Sequence, residues 1–177
     1  MRALVQRVTQ ARVTVSEQEV GRIGPGLLVF LGVAAGDTQA DVQYLVDKIA
    51  NLRIFSDADN RFNRSALDMG AEILLVSQFT LHADTRRGRR PDFSQAAPPE
   101  EAQTLYLSAV EGFRGAGLKV ATGRFGEHMQ VMLENDGPVT LLLDSADRHR
   151  PRHQQTTHSG SLSELTAEHA ETAEGIP

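Results

Sequence analysis

Gly26-Leu27-Leu28-Val29-Phe30-Leu31-Gly32-Val33 is apolar without a break and bounded by glycine, the pattern of a strand buried on both faces. Such a strand needs company in its own sheet and a layer over it. Upstream, Leu4 to Val15 carries β-branched residues in partial alternation and reads as a long strand of the same sheet, followed by a turn at Ser16 to Gly21. Downstream, Asp37 or Thr38 caps a helix whose Val42, Leu45, Val46, Ile49 and Leu52 recur as one buried stripe. That helix covers the sheet.

Farther along, Ser56 to Gly70 is polar and rich in Asp and Asn, the composition of a loop, before a strand from Ile73 to Phe79. Pro98-Pro99-Glu100-Glu101 opens a second helix, with proline early and acids in its first turn. Its stripe is Ala102, Leu105, Tyr106, Ala109, Val110 and Phe113, and Gly115 and Gly117 end it. Two more strands, near Met129 to Leu133 and Val139 to Leu143, flank a Gly-Pro turn. The expected fold is α/β, with a mostly antiparallel sheet or barrel-like β core and two covering helices.

At 177 residues the chain suits one domain with a proper core. The domain is expected to span 1–145, with a flexible polar tail over 146–177, whose few apolar residues cannot offset chain entropy. A formal charge of -5 argues against an indiscriminate nucleic-acid binder, so any RNA contact must be local. Cysteine is absent, which removes disulfides, thiolate nucleophiles and Cys-ligated zinc. No signal peptide is expected from the opening residues, where charge interrupts an alternating strand pattern, and no apolar run approaches the roughly 20 residues of a membrane helix. A cytoplasmic protein with no membrane contact is the simplest expectation. No cofactor and no metal site is expected: the core lacks a tight His/Asp/Glu cluster, and Pro151 interrupts any helix that would align His149 and His153 of the tail.

Two short segments carry chemistry. In Ser77-Gln78-Phe79-Thr80-Leu81, hydroxyl and amide groups follow the apolar run Ile73-Leu74-Leu75-Val76, so a stiff strand presents polar groups where it reaches the surface. In Asn135-Asp136-Gly137-Pro138-Val139-Thr140, a Gly-Pro peptide stands between two apolar runs where a plain hairpin would suffice. Thr80 is the one candidate nucleophile, but no His or carboxylate in the motif is placed as its base, and His82 has no visible partner to orient it. Arg86, Arg87, Arg89 and Arg90 concentrate positive charge in one loop, suited either to nucleic-acid phosphates or to plain solvation.

Ser77-Gln78-Phe79-Thr80 paired with Asn135-Asp136-Gly137-Pro138-Val139-Thr140 resembles the signature of the D-aminoacyl-tRNA deacylases. Met1-Arg2-Ala3-Leu4-Val5-Gln6-Arg7-Val8, Gly88-Arg89-Arg90-Pro91-Asp92-Phe93 and Gly123-Arg124-Phe125-Gly126 extend the likeness to about residue 145, while His128 and the tail depart from the pattern. The resemblance implies hydrolysis of the ester joining a D-amino acid, or glycine, to tRNA. It implies a homodimer in which a cis Gly137-Pro138 peptide enters the partner's site and rejects L-residues, while Ser77, Gln78, Phe79 and Thr80 form the catalytic groups. Either Thr80 acts covalently, or these groups position the ester while the tRNA 2′-hydroxyl helps activate water. An acyl hydrolase of another ester or amide that uses Thr80 as a covalent nucleophile and a non-catalytic RNA-binding dimer are the competing readings. Arg7 is expected either to hold the Gly-Pro segment across the dimer interface or to form a strand-surface ion pair.

Overall fold

A computed structural model describes residues 1–149. The chain opens with β1 (Arg2–Val15), turns at Ser16-Glu17 into β2 (Gln18–Ile23) and continues as β3 (Gly26–Gly32). Ser16 and Glu17 both have positive φ, 48° and 66°, the conformation of a two-residue hairpin whose twist matches its strands. The stretch Ser16 to Gly21, read as a turn, is therefore a tight turn plus most of a strand. Neither turn residue is the Asn, Asp or Gly that usually marks such a hairpin.

Next comes α1 (Gln39–Asn51), started by Thr38, whose backbone N–H and hydroxyl both donate to the Asp41 carboxylate at 2.9 Å. Where a loop was expected, β4 (Phe55–Ser56) and β5 (Phe62–Arg64) form a small hairpin, followed by the single turn α2 (Ala66–Met69). The Asp-rich composition does local work here. Asp57 accepts the N–H groups of Asp59 and Arg61 at 2.9 and 3.0 Å, and Ser65 and Asp68 cap α2 reciprocally. Beyond lie β6 (Glu72–Ser77), α3 (Pro99–Gly115), β7 (Lys119–Thr122) and β8 (Gln130–Asp144). The four-residue β7 was not anticipated.

One six-stranded sheet runs in the order β2-β1-β3-β6-β7, with β8 also on β1. Along one edge β1 pairs antiparallel with β3 through Arg2–Val8 and with β2 through Ala11–Val15, while β8 occupies its other edge. The β3–β6 and β6–β7 pairs are parallel, and α1 and α3 lie within their crossovers. At Gly21 an added Cβ would lie 2.5 Å from the Thr122 carbonyl oxygen, so β2 and β7 approach closely and the sheet nearly closes into a barrel. This is the mixed α/β fold with a barrel-like core.

Side-chain alternation explains the uninterrupted apolar runs. Leu27, Val29, Leu31, Ile73 and Leu75 pack in one core with α1 and α3, whereas Leu28, Leu74 and Val76 face a second core with Val8, Ala11, Val13 and Ile23. Both helical stripes are buried as their spacing predicts, through Val42, Leu45 and Ile49 on α1 and Tyr106, Ala109, Val110 and Phe113 on α3.

The Gly-Pro segment is not a turn between two strands. β8 is one strand that pairs β1 from Arg2↔Asp144 to Thr14↔Gln130, interrupted by a register shift in which Gln6↔Thr140 gives way to Val8↔Asn135. Asp136 to Val139 therefore stand opposite Arg7 alone and bulge the otherwise continuous ladder. After β8, Ser145–His149 make one 3-10 turn, in which Ser145 is buried and Arg148 lies 3.2 Å from Asp41. The expected tail begins within this turn, and the rest of it lies outside the described residues.

Candidate active site

Residues Ile73 to Val76 are buried, Ser77 and Gln78 are half-buried, and Phe79 and Thr80 are exposed, so the chain surfaces within four residues of the central sheet. The Gln78 N–H continues the β3 ladder by donating to the Leu31 carbonyl at 2.8 Å, and a 3-10 turn then runs from Phe79 to His82. Within it, Leu81 and Ala83 donate to the carbonyls of Gln78 and Thr80 at 3.3 and 3.1 Å. The N–H groups of Phe79 and Thr80 precede any acceptor inside the turn. The Gln78 carboxamide donates to the Thr80 hydroxyl oxygen, fixing both side chains.

Beneath the turn the packing is tight. A Cβ at Gly32 would stand 2.8 Å from the Gln78 carbonyl oxygen and 3.1 Å from both the His82 ring and Leu81 Cβ, so only glycine lets the turn rest on the end of β3. His82 is buried under the turn, with its Nε2 unpartnered. Burial, helped by the nearby Met1 ammonium and Arg2, holds its pKa below the ordinary value against the opposing Gly32 carbonyl and Asp37. It is thus buried and neutral at pH 7, and no hydrogen bond links it to Thr80.

Beside Ser77, Gln78 and Phe79 opens a cavity of about 520 Å³, largely apolar, walled by Phe93, the head of α3 and Phe125. Phe79 and Phe93 meet edge to face at 5.0 Å. Tyr106 forms the floor: its hydroxyl donates to the Leu75 carbonyl at 2.8 Å, and burial pushes its pKa far up. Phe93, Tyr106 and Phe125 were legible only as parts of a loop motif, a helix stripe and a second motif, and the fold is what makes them neighbours.

The second motif is built differently. Gly137-Pro138 is a cis peptide; both residues are exposed, while Val139 is buried. Asn135 holds the base of the bulge, its Nδ2 donating to the carbonyls of Arg7 at 2.8 Å and Val139 at 3.2 Å. Arg7, itself buried, lies 2.9 Å from the Asp136 carboxylate and donates to the Ile54 carbonyl. Arg7 therefore supports the Gly-Pro segment of its own chain. Within one chain the two motifs stay apart: Gly32, beneath the Phe79–His82 turn, pairs with Arg2, and the bulge lies beside Arg7, about 17 Å farther along β1.

Against this geometry, the family model for D-Tyr-tRNA(Tyr) deacylase matches residues 4–144. The chain belongs to the D-aminoacyl-tRNA deacylase family. It is 60% identical over 154 residues to the D-aminoacyl-tRNA deacylase of Roseiflexus sp. (strain RS-1), covering 87% of this chain and 99% of the relative. With that of Desulfitobacterium hafniense (strain DSM 10664 / DCB-2) the identity is 61% over 145 residues, covering 82% and 97%. A solved structure titled c-Myc DNA Unwinding Element Binding Protein superposes with a TM-score of 0.77 at 44% identity, over 81% of this chain and 98% of that one. A probable eukaryotic D-amino acid tRNA deacylase shares the fold with a TM-score of 0.72 at 21% identity, over 80% and 97%. The protein is an enzyme, a hydrolase acting on aminoacyl-tRNA.

In this deacylase the arginine loop is closed at its base by paired backbone hydrogen bonds between Asp84 and Asp92, at 2.8 and 2.9 Å. Arg86 differs from its neighbours. Its guanidinium and backbone N–H donate to Asp84, whose pKa that pairing lowers to about 2. Arg87, Arg89 and Arg90 are exposed and have no ion-pair partner among the described residues, so the free charge is concentrated in three of the four arginines. Among the described residues no group of three or more His, Asp or Glu is arranged to hold a metal, and the tail histidines past His149 lie outside them. No helix among the described residues is long and apolar enough to cross a membrane.

Proposed function

We propose that the enzyme proofreads chirality: as a homodimer it hydrolyses the ester of D-aminoacyl-tRNA and of glycyl-tRNA, and spares L-aminoacyl-tRNA. The observation that carries this reading is the Ser77–Thr80 segment, where β6 passes into the 3-10 turn, with two backbone N–H groups that have no acceptor within the turn and fixed polar side chains beside an apolar cavity. Water attacks the ester carbonyl, the N–H groups of Phe79 and Thr80 and the Ser77 hydroxyl stabilise the oxyanion, and collapse expels the ribose oxygen. Free amino acid and tRNA result. The cavity suits a flat group such as the terminal base.

Thr80 already accepts the Gln78 amide, and His82 is buried beneath the turn, which favours a positioning role over a covalent one. The 2′-hydroxyl of the tRNA then helps activate water, so a substrate lacking it reacts poorly. Arg87, Arg89 and Arg90 meet acceptor-stem phosphates, and Arg86 shapes the loop.

Dimerisation is supported by β8, 15 residues long, which among the described residues pairs only with β1 and exposes Met132, Leu133 and Leu142 beside an edge that no described strand covers. On that strand the exposed Gly137-Pro138 backbone is offered to a second subunit, where its carbonyls grip the substrate amino group and crowd the place an L side chain needs. Glycine has nothing to clash. The catalytic domain is residues 1–145, and the enzyme works in the cytoplasm, where its substrate is made. Assaying D-Tyr-tRNA, L-Tyr-tRNA and Gly-tRNA side by side tests the proposal. The first and third are expected to lose their amino acid and the second to keep it; equal cleavage of both tyrosyl forms refutes it.

A further inference from the structure

Arg7 is gripped from two points of one small element. The carbonyl of Ile54, at the foot of the β4–β5 hairpin, accepts its Nη1, and the Phe62 ring on β5 covers its guanidinium with 5.2 Å from Cζ to the ring centroid. On its other side the guanidinium meets the Asp136 carboxylate and crowds Gly137, where an added Cβ would sit 3.1 Å from Nη2. A continuous column thus runs from hairpin to arginine to bulge. The hairpin is itself braced: Phe55 pairs with Arg64, Ser56 pairs with Phe62, and Asp57 gathers the N–H groups of the intervening turn.

Phe62 is otherwise hard to account for. It is 56% exposed, contributes to neither core, and stands in sequence between Arg61 and Asn63. Its ring shields the face of a cation whose carboxylate partner is 47% exposed and open to exchange with water. Without the ring, Arg7 keeps its charge but loses one of the walls that orient it, and Asp136 and Gly137 lose the fixed point they lean on.

We infer that the β4–β5 hairpin is a clamp for the Gly137-Pro138 bulge and that Phe62 is a positioning residue for discrimination between mirror-image aminoacyl esters, acting through Arg7. This rests on the reading of the bulge as the element that excludes L-residues. Its signature is selective. Loosening the bulge relaxes rejection of the L form and leaves the Ser77–Thr80 chemistry on the D form in place.

The test is single-turnover deacylation of D-Tyr-tRNA and L-Tyr-tRNA by the full chain and its Phe62→Ala, Phe62→Leu and Phe62→Tyr variants, with thermal melting alongside. In Phe62→Ala the ratio of L to D cleavage rises about fivefold, Phe62→Leu shows the same rise because it has bulk but no π face, and Phe62→Tyr restores the wild-type ratio. A discriminating wild type with an unchanged ratio in both Ala and Leu variants overturns the clamp and leaves the bulge's role standing. Equal losses on both substrates, tracking a lowered melting temperature, overturn it as well, since they mark Phe62 as merely structural. If Phe62→Ala does not fold, Phe62→Leu decides. A wild-type protein that cleaves both mirror forms alike overturns the underlying reading and the clamp with it.

Discussion

Replacing Gly32 by alanine is the sharpest test of how the proposed catalytic turn is seated. The new methyl group would lie 2.8 Å from the Gln78 carbonyl oxygen, a backbone atom, where ordinary contact begins at 3.4 Å. The turn must therefore lift by about 0.6 Å, and the His82 ring and Leu81 Cβ, each at 3.1 Å, push in the same sense. Overpacking of this kind costs about 1 to 3 kcal/mol. For a folded unit of this size that lowers Tm by about 3 to 9 °C. The same lift stretches the 2.8 Å bond from the Gln78 N–H to Leu31 and moves the N–H groups of Phe79 and Thr80 away from the oxyanion position proposed for them. Since misplacement by about 1 Å can cost a hundredfold in rate, a fall on the order of tenfold in single-turnover deacylation of D-Tyr-tRNA is expected.

The matched control is Gly24→Ala, because the only heavy atom within reach of a Cβ there is a Glu72 carboxylate oxygen at 3.8 Å. That variant should melt and react like the wild type. If Gly32→Ala is indistinguishable from Gly24→Ala in both rate and Tm, the turn does not depend on its seat against β3 and the reasoning fails.

Other expectations concern binding, protonation and the nucleophile. Replacing Arg89 and Arg90 together by alanine should weaken tRNA binding and flatten the plot of log K against log salt by about 2, whereas Arg86→Ala, already committed to Asp84, should leave the slope unchanged; equal slopes for all three proteins reject the loop as a phosphate contact. Burial depresses the folded-state pKa of His82, so its contribution is fully present above the unfolded value of about 6.5 and is lost as pH falls toward the folded value. Melting between pH 7.5 and 5 should therefore show a steeper acid loss in the wild type than in His82→Gln, and parallel curves would contradict this. Thr80→Ala should lower the rate on the order of tenfold through loss of the Gln78 contact, and a drop beyond about ten-thousandfold with a trapped Thr80 acyl adduct in the wild type would mark covalent catalysis instead.

What the sequence made legible depended on how local the cause was. Leu27 to Leu31 and Ile73 to Val76 announce strands buried on both faces because every residue in them is apolar, and the stripes of α1 and α3 announce themselves because a helix face repeats within the segment. The Asn135–Thr140 stretch misled for the opposite reason. Gly and Pro between apolar runs are ordinary turn chemistry, and only the full length of β1, 14 residues pairing from Arg2 to Thr14, holds both flanks in one strand and forces the extra residues outward as a bulge. The small hairpin at Phe55–Arg64 was hidden likewise, since its two strands are too short to show alternation and its turn is organised by one carboxylate, Asp57. Of the candidate site, the Ser77–Thr80 cluster could be read because strand end and polarity change coincide in sequence, whereas the cavity walls Phe93, Tyr106 and Phe125 come from a loop, a helix and a connection that only the fold assembles. Arg7 carries the same lesson. In sequence it is one charge interrupting a strand, and its place under Gly137 follows from a pairing partner more than a hundred residues away, so non-local register, more than composition, decides which residues support the bulge.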